Sequence, residues 1–68
     1  MKTVTANQVK KLEAGSSVWI RKNGTDRRSE YKVIQYGKEK RIRHGKAGNA
    51  SAPRPIKDYP GFVYEVDT

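Results

Sequence analysis

The sequence predicts an α+β or mostly β fold: a short N-terminal helix, then about four antiparallel strands, curved into a small SH3-like or OB-like barrel. Three observations carry this expectation. SVWIRK (17–22), EYKVIQY (30–36) and FVYEV (62–66) are rich in β-branched and aromatic residues and are bounded by turn residues. A helix signature occurs only at the N-terminus. The chain has 68 residues and no cysteine, so one small core must hold a single domain without disulfides or thiolate metal ligands. The barrel comparison concerns architecture alone and carries little about function.

Thr5 is placed as helix N-cap with Gln8 at N3, the T-x-x-Q form of the capping box. Val4 and Val9 then take the two positions of a hydrophobic staple. Val9 and Leu12 share a face, Lys10 and Lys11 point to solvent, and Gly15 is placed to close the helix in a left-handed conformation. The helix is expected over 5–14, resting on a sheet because it is too short to stand alone. Strand 17–22 ends at the turn dipeptide Asn23-Gly24, and 25–28 (TDRR) reads as an exposed loop. Strand 30–36 is turned by Gly37-Lys38 into strand 39–44, and 62–66 is the last strand. Between them GKAGNASAPRPIKDYPG (45–61) holds all three prolines, three of the six glycines and one sizeable aliphatic, Ile56. It reads as a long loop, of the kind that is functional or disordered.

Charge is the strongest compositional signal. Fifteen basic residues against seven acidic ones give a net charge of +8 and a pI near 10.1. Such a field attracts polyanions, whether DNA, RNA, acidic lipid or an acidic protein face, and it also keeps a small protein soluble. No apolar run approaches the roughly 20 residues that span a bilayer. The opening MKTVTANQVKK lacks the apolar region of a signal peptide. A soluble, cytoplasmic protein with no integral membrane association is expected.

Taking Gly37-Lys38 as a two-residue hairpin loop sets a register. Tyr36 then faces Glu39, Ile34 faces Arg41, Val33 faces Ile42, Lys32 faces Arg43 and Tyr31 faces His44. Alternation sorts these pairs onto two sides. Tyr31, Val33 and Ile42 form a core side, joined by Val18 and Ile20. Lys32, Ile34, Tyr36, Arg41 and Arg43 form the other, joined by Trp19 and Arg21. Cations interleaved with aromatic rings suit a nucleic acid, because phosphates pair with the cations while bases stack on rings or guanidinium planes. The candidate contacts are Arg21, Lys32, Arg41 and Arg43, with Lys46, Arg27 and Arg28 in support and Trp19 or Tyr36 stacking. The competing structural reading is a strongly bent barrel, in which Trp19, Ile34 and Tyr36 are core and the Lys and Arg residues blunt an edge strand.

Catalytic chemistry finds little material. His44 has no second His and no Cys beside it, and no Ser–carboxylate spacing points to a triad. Acidic residues occur singly except for Glu65 and Asp67, which share a strand side and could hold one divalent ion weakly, though they read better as a soluble C-terminal stretch. GKAGN (45–49) fails as a Walker loop, because Lys40 stands where Gly is required and Ala47 where Ser or Thr is required. Its glycines still allow backbone amides to approach a phosphate beside Lys46. PRP (53–55) reads as loop stiffening or as a polyproline II recognition element.

The expectation is a non-enzymatic nucleic-acid-binding module, for DNA or RNA, without cofactor. Engaging about five phosphates on duplex DNA gives a log K against log salt slope of about −4.5. The alternative is a small basic protein-interaction module, an inhibitor or adaptor, docking an acidic surface of a larger protein through the 45–61 loop and PRP. An exposed sheet edge also admits a homodimer.

Overall fold

The computed structural model describes residues 1–45 and 52–67. Its elements are β1 (Lys2–Val4), α1 (Ala6–Lys10), β2 (Ser17–Lys22), β3 (Arg28–Tyr36), β4 (Glu39–His44), β5 (Arg54–Pro55) and β6 (Phe62–Val66). The strands form one antiparallel six-stranded sheet in the order β1-β6-β2-β3-β4-β5. The class is mostly β with a tiny helix, and the sheet stays open rather than closing into the expected barrel. Its edges explain why. β1 has three residues and β5 has two, flanked and ended by Pro53 and Pro55, which have no N–H to extend a ladder.

The four expected strands are present, with β3 extended back to Arg28, into the stretch read as an exposed loop. The five expected β3–β4 pairs all form, from Tyr36↔Glu39 to Tyr31↔His44. Gly37 makes this possible by taking φ +63 in the tight turn, a conformation that costs glycine little. β1 and β5 are additions to the expected set. β5 and its surroundings also correct the reading of 45–61 as a structureless loop. Ile56 is 3% exposed within the core, Tyr64 Oη donates to the Lys57 carbonyl at 2.7 Å, and Tyr59 Oη donates to the Pro55 carbonyl at 2.7 Å.

The helix is shorter than the expected 5–14. Its start follows the sequence reading: the Gln8 amide donates to Thr5 Oγ1 at 3.2 Å, and the Thr5 amide donates to Gln8 Oε1 at 2.8 Å. Its end does not. The chain leaves the helix at Lys11, in a tightened turn with Leu12 N–H bonded to the Val9 carbonyl. The Lys40 ammonium takes the Leu12 carbonyl, supplying from β4 a partner that a longer helix or a glycine cap would otherwise provide. Gly15, at φ +97, turns the chain toward β2 instead, and its N–H donates to the Val33 carbonyl at 2.7 Å. With only one turn of helix, the capping box is a large share of its local stability. Thr5→Ala is expected to cost about 1 kcal/mol and to lower the thermal midpoint by about 4–8 °C, measurable by circular dichroism.

The core consists of Ala6, Val9, Val18, Tyr31, Val33, Ile42, Ile56 and Tyr64, with Val4, Leu12, Ile20, Tyr59 and Val66 packed against it. By register, its strand members share one side of the sheet, which we call inner. The helix and the 52–61 segment contribute Val9 and Ile56 to that side. Among the described residues, no helix is long and apolar enough to cross a membrane.

Candidate nucleic-acid interface

The outer side of the sheet is built by the strand residues that alternate with the core residues. Trp19 and Arg21 of β2 sit opposite Glu30 and Arg28 of β3, while Lys32 and Ile34 sit opposite Arg43 and Arg41 of β4. The bent-barrel reading would bury Tyr36, which is 49% exposed. Trp19 and Ile34 are half-buried by their neighbours and belong to neither extreme.

The structure divides the expected cations into two groups. At the β4 end, the Arg41 guanidinium lies 4.2 Å from the centroid of the Tyr36 ring and pairs with Glu39 at 2.9 Å. Arg43 lies beside it and has no ion pair among the described residues. Lys32 donates to Ser17 Oγ and stands 3.5 Å from Glu30. Lys32, Ile34, Tyr36, Arg41 and Arg43 therefore form one continuous outer patch.

Arg21 and Arg28 do not belong to it. They are direct cross-strand partners, and both turn toward Glu65 of β6. Arg28 Nε donates to Glu65 Oε1 at 2.6 Å. Arg21 Nε is 3.4 Å from Glu65 Oε2, close enough to attract but too poorly aligned for a hydrogen bond, and Arg21 Nη1 donates instead to the Thr25 carbonyl at 3.1 Å. Glu65 is only 4% exposed. The Arg28 hydrogen bond, opposed by burial and helped by the charges of both arginines, holds its carboxyl below the usual carboxylate range.

Glu65 is the residue that sequence reasoning missed. The alternation of FVYEV separates Tyr64 from Val63 and Glu65, but the neighbour of β6 is set by long-range topology. Asp67, paired with Glu65 in the sequence reading, is exposed, and no group of His, Cys, Asp or Glu among the described residues is arranged to hold a metal ion.

The two aromatic candidates do not meet. Trp19 is opposite Glu30, six residues along β3 from Tyr36, which places them about 20 Å apart on an extended strand. Trp19 instead borders a groove with Leu12, Ser16, Ser17, Val66 and Asp67. Arg27 is exposed just before β3, and Lys46 lies outside the described residues. His44 is on the inner side, edge-on to Tyr31 at 5.1 Å.

The chain matches no family model, no curated protein and no solved structure.

Proposed function

We propose that this chain is a non-enzymatic nucleic-acid-binding module whose contact surface is the outer side of the β3–β4 hairpin. One observation supports the reading above the others: the Arg41–Tyr36 stack adjoins Arg43 and Lys32 on the side of the sheet opposite the buried core. The cations bind phosphates, and the Tyr36 ring with the Arg41 plane takes an unpaired base. A single strand engages both parts of the patch, whereas a duplex offers only its phosphates. The net charge of +8 adds long-range attraction. Arg21 and Arg28, held by Glu65, contribute to the field and not to direct contact.

The test is fluorescence anisotropy with labelled single-stranded DNA, single-stranded RNA and duplex DNA across a salt series. With Lys32, Arg41 and Arg43 each neutralising one phosphate, the slope of log K against log salt is about −2 on a single strand and about −2.7 on a duplex. The double variant Arg41→Ala, Arg43→Ala should bind a single strand at least about tenfold more weakly, with a slope of about −0.7. A flat salt response, or unchanged affinity in the double variant, removes this patch from the reading.

A further inference from the structure

The inner side of the sheet carries a second feature, toward the β2–β3 turn and away from the helix end anchored at Val33 and Lys40. There Ile20, Ser29, Tyr31, Arg54, Tyr59 and Phe62 line a cavity of about 120 Å³. Phe62 is 46% exposed, one of the few large apolar side chains so open to solvent.

Arg54 on the cavity wall, and Lys57 beside the lining residue Tyr59, are held differently from the cations on the outer side. The Arg54 guanidinium lies 4.6 Å from the Tyr59 ring centroid and 5.7 Å from that of Tyr31, and its Nη1 donates to Tyr31 Oη at 3.1 Å. Lys57 Nζ is 5.5 Å from the Tyr59 centroid. Neither has an ion pair with a carboxylate among the described residues, whereas Arg21, Arg28, Lys32 and Arg41 all do. Aromatic faces fix a cation in place without neutralising it. Arg54 is thus positioned, charged and left with unused donors at the mouth of an apolar cavity.

Size and polarity select the occupant. Pockets for drug-sized ligands are about 300–1,000 Å³, so this one takes a single side chain or ring. Tyr59 Oη donates to the Pro55 carbonyl and Tyr31 Oη accepts from Arg54, which leaves the Tyr31 and Ser29 hydroxyl protons and the spare Arg54 N–H groups as the side-chain donors on the wall. A nucleobase would be buried there with several edge groups unpaired, a cost that an apolar side chain does not carry.

We propose that the cavity docks an acidic, extended segment of a partner protein. One apolar side chain of that segment enters the cavity, and carboxylates flanking it pair with Arg54 and Lys57. The site is separate from the β3–β4 patch and does not depend on nucleic-acid binding.

The probe is the blocked pentapeptide acetyl-Asp-Glu-Phe-Glu-Asp-amide, titrated into the isotopically labelled full chain and followed by NMR. Shifts are expected at the Arg54 side-chain N–H, Tyr59 and Phe62, with Tyr36 and Arg43 unmoved. Replacing the peptide's Phe by Ala, or its acids by Asn and Gln, should each weaken binding at least about tenfold. Arg54→Gln and Phe62→Ala should do the same. Both positions are exposed, so the variants are expected to fold, which their β2–β4 amide signals would verify. Absence of shifts at millimolar peptide overturns the proposal. So does equal binding of the uncharged peptide. Preferential movement of the same signals by a single-stranded oligonucleotide also overturns it, and makes this cavity a nucleic-acid site instead.

Discussion

Ile42→Ala is expected to unfold a large part of the population under conditions where the parent protein is native. Ile42 is fully buried, paired with Val33 across the hairpin, and flanked in β4 by Arg41 and Arg43. The rest of β4 is Glu39, Lys40 and His44, so this is the one aliphatic side chain tying the strand to the core. Truncating a buried isoleucine to alanine costs about 2–5 kcal/mol. A chain of this length has about 3–10 kcal/mol in total, at roughly 0.05–0.15 kcal/mol per residue. Urea denaturation followed by Trp19 fluorescence should show a collapsed midpoint with little change in slope. Ile42→Val should cost only about 1 kcal/mol. A loss below about 1 kcal/mol in the alanine variant would mean that β4 is held by its ladder bonds and ion pairs instead.

Glu65→Gln is expected to be the next most disruptive change, and its effect depends on pH. The substitution removes the carboxylate between Arg21 and Arg28 and leaves two like charges directly opposite across β2 and β3. Hydrogen bonds to charged groups contribute about 1.5–3 kcal/mol, and the arginines' partial exposure places the cost toward the lower end. Because the folded carboxyl titrates below its ordinary value of 4.5, its contribution is complete above that value. It is lost as pH falls through the lower folded value. Urea midpoints of the two proteins should therefore differ at neutral pH and converge in acid. A constant difference down to the lowest accessible pH would assign the effect to packing. The same variant frees two arginines on the outer side. Under the proposed function it should steepen the duplex salt slope by up to about 1.8 while lowering stability, so the two readouts move in opposite directions.

These expectations trace what was legible in the chain. The β3–β4 register could be read because it is local. A Gly-led two-residue turn and strict alternation leave one way to place Val33, Ile42 and the projecting arginines. The capping box was legible for the same reason. The helix end was not, since the partner of the Leu12 carbonyl is Lys40, far away in sequence. β1 offers only Val4 as an apolar residue and β5 ends in a proline, so neither shows a strand pattern. The burial of the 52–61 segment had a single trace, an isolated Ile56 among prolines and polar residues. Glu65 looked like one more solvating acid because nothing near it in the sequence identifies β2 as its neighbour. Of the candidate residues, the outer-side placement of Arg41 and Arg43 follows from local pairing. The Arg21–Arg28 pair is reorganised by a strand from the far end of the chain.

The sheet order also bears on how the chain is made. β6 lies between β1 and β2, so β1 has no neighbour in the sheet until β6 is made. The β2–β3–β4 meander can form early, since its turns are short, but its β2 border stays open and Arg21 and Arg28 wait without their carboxylate. During that interval the nascent chain carries two uncompensated charges and an unpaired border. Insertion of Phe62–Val66 closes both at once. In the folded sheet, charge neutralisation and strand pairing at the β2 border thus depend on the same five residues.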